Sequence, residues 1–379
     1  MALLQFAEKF APPQADWSPG VRAAPPSPID LVLVTRMTHT FALALPADHP
    51  RTAEITEAGI EALRSTFSDA THRGWLSVPG APRKRAYEHA FVLLATSTAV
   101  RSGHPAVENV ARSLLTEALE VIDTHFWNED LGVLRESFAA DWTDDEPYVG
   151  GNSNMHAVEA YLAAAAATSD KALLGRALRI ADAIVHRHLQ LGQRMLVEHF
   201  SPELKPLLQY NRDAPADALR PFGSTVGHWL EWSRLLVELD VALAEPPPWL
   251  IESATLLFDK ALRLGWQADG HPGFVYTLDW TGAVSVDSRL HWVLAEAIAA
   301  ASALHVRTGN PLYATRYDEF WNLAALAFLA PDGSWRHELA CDLRPIRRVW
   351  GGRPDAYHAS TALLAHRLRP SHRSQDDSD

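Results

Sequence analysis

Much of what would announce a common protein class is missing from this sequence. There is one cysteine, Cys341, in 379 residues, so no intrachain disulfide framework can form and a reducing, cytoplasmic setting is expected. No stretch approaches the roughly 18 uninterrupted apolar residues of a membrane span. The opening MALLQFAEKF lacks the basic flank of a secretory leader. Positive charge is scarce. A formal net charge of −12 argues against nucleic acid or an anionic membrane as partner. GxGxxG, P-loop, nucleophile-elbow, HExxH and CxxC patterns are also absent. Nucleotide and serine-hydrolase chemistry therefore have little support, and no metal is expected.

What is present is helical periodicity. Six segments are apolar nearly all round and are expected to be buried helices: PIDLVLVTRMTHTFALAL, KRAYEHAFVLLATSTAV, GNSNMHAVEAYLAAAAAT, STVGHWLEWSRLLVELDVAL, DSRLHWVLAEAIAAASALHV and PDAYHASTALLAHRL. Between them lie five amphipathic segments, beginning at residues 49, 105, 171, 249 and 311, with ALLQFAEKF as a shortened sixth. Each full amphipathic segment is followed by a short strand-like stretch: RGWLSV, LGVLRESF, RMLVEHF, PGFVYTLDW and GSWRHEL. The unit recurs roughly every 55–70 residues, which suits a closed double layer of helix pairs. Six inner and about six outer helices predict an all-α (α/α)6 barrel with short strands in its loops. No linker divides residues 1–379, so a single domain is expected. The Pro-rich stretch at about 11–28 reads as an extended loop and residues 370–379 as a disordered tail.

The unusual polar residues fall at the N-terminal ends of the buried helices. They are Arg36 with His39, Tyr87 with His89, Asn152 with His156, His228 with Glu231, His291 with Trp292, and Asp355 with His358. In a ring of parallel inner helices these ends converge on one mouth, and a pocket is expected there. RPFGSTVGHWLEWSRLL is the sharpest motif: His228 and Glu231 lie three apart on one helix face. A carboxylate beside an imidazole raises its basicity and fixes its orientation, as a general base requires; the plainer alternative is a helix-start ion pair. A buried Arg36 would be costly unless paired, so it reads either as a ligand group or as the partner of a structural carboxylate. The acidic run DWTDDE at 141–146 reads as a solvated loop. Thirteen tryptophans and eighteen histidines exceed what packing alone explains, and flat indoles stack well on sugar rings.

TRMTHTFAL, RAYEHAFVLLA, GNSNMHAVEAYL, RPFGSTVGHWLEWSRLL, SRLHWVLAEAI and PDAYHASTALL occur in this order over most of the chain. With them the chain resembles the N-acylglucosamine 2-epimerase family, and within it the aldose–ketose isomerases acting on mannose. The resemblance implies an (α/α)6 barrel with His228 and His358 as an acid/base pair and Glu231 supporting His228. Arg36, Tyr87, Asn152, His156, His291 and Trp292 would contact a sugar, with Arg220 also reaching it. It implies a monosaccharide substrate (mannose, or lyxose as a variant), an enediol route, no cofactor, and a monomer or homodimer. A sugar 2-epimerase uses the same first step, and a non-catalytic sugar-binding barrel is the other alternative. A glycoside hydrolase, which needs two carboxylates across the scissile bond, is disfavoured. Two departures stand out: a GGF…LD stretch is missing from the Pro-rich N-terminal region, and Trp350 lies further from His358 than in disaccharide epimerases, which argues against a stacking role for it.

Overall fold

The computed structural model describes residues 2–8, 29–47, 51–190, 195–351 and 356–365. The extended loop expected at 11–28, the tail and Asp355 lie outside them. Five of the buried segments form the long helices α2 (Leu31–Ala44), α4 (Ala86–Arg101), α6 (Gly151–Thr168), α9 (Val226–Ala242) and α11 (His291–Thr308), and the sixth is α13 (Tyr357–Leu364). The amphipathic segments form α3 (Thr52–Ser65), α5 (Glu108–Val121), α7 (Ala172–Ala181) with the short α8 (Arg187–Gln190), α10 (Trp249–Lys260) and α12 (Pro311–Leu323). The N-terminal α1 (Ala2–Ala7) lies against the turn at Gly333.

The inner helices meet in a closed ring, α2–α4–α6–α9–α11–α13 and back to α2, and the outer helices pack on them. The fold is an (α/α)6 barrel. Chemistry and position agree here: α6 and α11 are alanine-rich on all faces because neighbours cover every side, whereas α5 and α7 keep charge on one face. Trp75, Trp229 and Trp232 are fully buried, so part of the tryptophan excess is packing after all. No helix among the described residues is long and apolar enough to cross a membrane.

The outer helices share an ending. The segments Ile122–Phe126, Asp182–His186, Ala261–Gly265 and Ala324–Phe328 widen into one π-type turn, and Phe67 N–H reaches back to Ala62 in the same i→i−5 manner. The strands that follow are shorter than expected, and RGWLSV contributes only the Ser68–Trp75 bridge. Strands that periodicity did not reveal precede four inner helices. Residues 83–85, 149–150, 224–225 and 289–290 pair antiparallel with 137–139, 199–200, 277–278 and 338–339 in the following loop. These pairings pin each inner-helix N-terminus to the loop beyond it, at the end where the polar residues cluster.

Candidate active site

One chamber opens at that end. It is lined by Arg36, Tyr87, Asn152, His156, His228, Glu231, His291, Trp292 and His358. All six inner helices contribute, and nine of the ten residues expected at a site are among its walls. Ala218, Leu219, Leu290, His337, Val349 and Trp350 complete it.

Two histidines are held alike. His228 Nδ1 meets Glu198 Oε2 at 2.5 Å, and His358 Nδ1 meets Glu296 Oε1 at 2.8 Å; both carboxylates are buried. A carboxylate on Nδ1 favours the tautomer with its proton there, which leaves Nε2 as the basic nitrogen on the chamber side. The Trp292 indole stands between the two rings, with centroids 5.3 Å from His228 and 5.6 Å from His358. Gly227 makes this possible: a Cβ there would lie 2.3 Å from the indole. Gly227 is thus the seat of Trp292, and Gly223, just before α9, adopts a left-handed φ of 91°.

Glu231 is placed differently from expectation. It shares a helix face with His228 but turns inward, 3.7 Å from His156 Nδ1 and 3.8 Å from Arg234. Glu198 takes the anchoring position because its loop crosses the start of α9, where its other oxygen accepts the Thr225 N–H at 2.8 Å. Burial, with the charges of Glu296 and Glu159 nearby, pushes the Glu231 carboxyl well above the usual carboxylate range. Burial also lowers His156 to about 4, against the pull of Glu159, and its ring is neutral. His156 packs against Tyr87 and Phe91. Arg36 donates to Tyr87 Oη at 2.9 Å and lies over the Phe91 and Tyr357 rings. His291 stacks on His337 at 4.2 Å.

Three polar residues expected at the mouth are elsewhere. His39 bonds Thr98 and His89 joins Trp75 N–H to the Arg85 carbonyl; both rings are buried and neither lines the chamber. Arg220 also stands outside it. Its guanidinium pairs with Glu146 at 2.6 Å and Glu136 at 3.3 Å over the Tyr148 ring, in a neighbouring opening that shares Tyr87, Asn152 and Leu219 with the chamber. Glu146 of the acidic run is therefore a structural partner. Within GGNSNMH the labour is divided. Asn152 and His156 face the chamber, Ser153 bonds Glu136, and Asn154 clamps Leu134 at 2.7 Å.

Sequence reasoning missed Glu198, Glu296, Glu159 and Arg234, and it argued against Trp350. Glu159, Arg234 and Glu296 were visible as lone charges inside otherwise apolar helices; Glu198 and Trp350 lie in loops with no periodic signal. Trp350 lines the chamber despite its distance in sequence from His358, because Glu338 gathers the backbone N–H groups of Arg348, Val349 and Trp350 and folds that loop inward. Among the described residues two donor sets have the spacing to hold a metal ion, His156–Glu159–Glu231 and Glu231–Glu296–His358. All their carboxylates also border the Arg234 guanidinium, so an added cation would compete with a fixed one.

The profile of the N-acylglucosamine 2-epimerase (GlcNAc 2-epimerase) family matches residues 22–362. The chain belongs to that family. It is 46% identical over 338 residues to a D-mannose isomerase of Pseudomonas cannabina pv. alisalensis, covering 87% of this chain and 81% of that one. A D-mannose isomerase of Thermobifida fusca is 45% identical over 349 residues, covering 89% and 85%. A crystal structure of a D-mannose isomerase superposes with a TM-score of 0.82 at 27% identity, covering 90% of this chain and 88% of the other.

Proposed function

We propose that this member of the family is an aldose–ketose isomerase that interconverts D-mannose and D-fructose. The observation that carries the mechanism is the pair of carboxylate-anchored histidines facing one chamber across Trp292. In this reading a histidine Nε2 takes the C2 proton of the open-chain aldose, an enediol forms, and the proton returns at C1. The second histidine moves protons among the sugar oxygens and assists ring opening. Each such group contributes about 10²–10⁴-fold.

The remaining walls fit the same chemistry. Arg36, fixed by Tyr87 and two aromatic rings, offers positive charge to the developing enediolate. Glu231 lines the chamber with its carboxyl pushed toward the uncharged form by burial, and a neutral His156 binds hydroxyls without competing for the transferred proton. Trp292 and Trp350 supply apolar faces. The 45–46% identity to D-mannose isomerases over most of the chain supports mannose as substrate.

Proton NMR of the chelator-treated enzyme with D-mannose in D₂O is the test. The expected result is fructose, formed without added metal and with either deuterium at C1 or direct C2-to-C1 transfer. Glucose without fructose would instead make the chain a 2-epimerase. No exchange at C2 would remove mannose as its substrate, and activity restored only by a divalent ion would overturn the metal-free route.

A further inference from the structure

The core of the barrel contains a cation that the proposed chemistry does not use. Arg234 lies on α9 one face-repeat beyond Glu231 and is 2% exposed. Its Nε donates to Glu296 Oε2 at 2.8 Å, Nη1 to Glu238 at 3.1 Å, and Nη2 to Glu159 at 3.3 Å. One planar guanidinium is thus fixed by carboxylates from α6, α9 and α11, a geometry that the single ammonium of lysine cannot reproduce. Burying an ion in this way is weak as a stability device, since apolar packing of similar volume commonly does as well. Another role accounts for it better.

Glu296 supplies the link. It is completely buried, and its two oxygens have different partners: Oε2 takes Arg234 and Oε1 takes His358 Nδ1. Glu198, on His228, has the corresponding arrangement with a backbone amide in place of the arginine. Each histidine-holding carboxylate therefore has one oxygen on the ring and one on an anchor. We propose that Arg234 is a positioning residue that acts on His358 through Glu296, holding the carboxylate ionised and in plane so that His358 keeps its proton on Nδ1 and presents Nε2. Without the guanidinium, Glu296 would face Glu231 and Glu159 in a dry core and take up a proton, and His358 would lose its fixed acceptor. In the intact protein Glu296 is held below the usual carboxylate range although burial opposes this, because Arg234 and His358 lie beside it. The inference rests on the reading of His358 as a proton-transfer group.

The test is long-range ¹H–¹⁵N NMR of the full chain, with the two rings assigned from His228→Gln and His358→Gln. Wild type is expected to show both histidines in one neutral tautomer, with the proton on Nδ1. In Arg234→Lys, which keeps the charge but loses the fork, the two ¹⁵N shifts of His358 should converge as tautomers mix, while those of His228 stay in place. Turnover should fall at least tenfold with KM changed less than threefold. A folded Arg234→Lys protein with an unchanged His358 signature would overturn the proposal, as would an equal disturbance at His228. If Arg234→Lys does not fold, Glu296→Gln alters the link with the guanidinium in place: its oxygen stays on Arg234 and its NH₂ faces His358 Nδ1, so the two ¹⁵N shifts of His358 should exchange places while those of His228 stay. An unaltered signature there is equally decisive against it. These spectra need no substrate, so they separate failure of this proposal from failure of the mannose reading.

Discussion

Glu198→Gln is the sharpest single perturbation of the proposed machinery, because it preserves shape and changes one chemical fact. Glu198 accepts two donors in a buried setting, the Thr225 N–H at 2.8 Å and the His228 Nδ1–H at 2.5 Å. A carboxylate accepts both, whereas glutamine offers one oxygen and one NH₂. The backbone donor cannot change its chemistry, so the glutamine oxygen goes to Thr225 and its NH₂ faces His228. The imidazole must then accept at Nδ1 and carry its proton on Nε2, the nitrogen meant to act as base. Inverting a catalytic histidine's tautomer in this way costs up to about 10⁴-fold in other enzymes. We expect kcat to fall about 10²–10⁴-fold, or roughly 3–5 kcal/mol of barrier, with KM changed severalfold at most. The lost charge-assisted bond should cost about 1–3 kcal/mol of stability, visible as a lower melting temperature with unchanged helical circular dichroism. Glu231→Gln is the control. Glu231 anchors neither histidine at Nδ1, so its loss of turnover should be at least tenfold smaller. Initial rates of fructose formation measure both. A Glu198→Gln enzyme within tenfold of wild type, or a Glu231→Gln enzyme more damaged than it, would refute the reasoning.

His228→Ala and His358→Ala should each abolish turnover with circular dichroism near wild type; retention of more than about a tenth of the activity is incompatible with an essential acid/base role. Gly227→Ala should push Trp292 from between the histidines and reduce kcat at least tenfold, and a crystal structure with the indole unmoved would contradict that reading. His39 is held at about 4, chiefly by burial. The unfolded chain therefore takes up a proton near the ordinary 6.5 while the folded protein does not, so stability is retained above pH 6.5 and lost as the pH falls toward 4. The stability advantage of wild type over His39→Gln should shrink by about 2 kcal/mol between pH 7 and pH 5, as read by urea denaturation, and a pH-independent gap would contradict it.

The barrel was legible because its inner helices are covered on every side and so lose the polar face that marks an outer helix. Convergence at one end was legible too, because polar side chains are costly in such helices unless something uses them. That logic stops at the side chain's direction. His228 is the third residue of α9 and faces the chamber, whereas His39 lies past the middle of α2, two turns into the helix, and turns into the wall to Thr98. The choice depends on crossing geometry that periodicity does not encode. His228 and Glu231 at i and i+3 appear to be partners in one dimension. In three dimensions a loop carrying Glu198 reaches the ring first, positioned by pairing of residues 199–200 with 149–150. Glu159 and Glu296 were open to discovery, since a lone acid inside an alanine-rich helix must have a buried counterpart.

The arrangement of helices also explains why the histidines need those carboxylates. Each inner helix directs its N-terminal end, equivalent to about half a positive charge, toward the chamber mouth. Six such ends, with Arg36 among them, create a field that favours an anionic enediolate over a neutral sugar and so works on the transition state. The same field disfavours a histidine that has just accepted a proton. An anion behind each ring offsets this locally, and Glu198 and Glu296 stand there, on the nitrogens turned away from the chamber. A barrel with the six helix ends but without the two acids would stabilise the intermediate and lack a base able to form it.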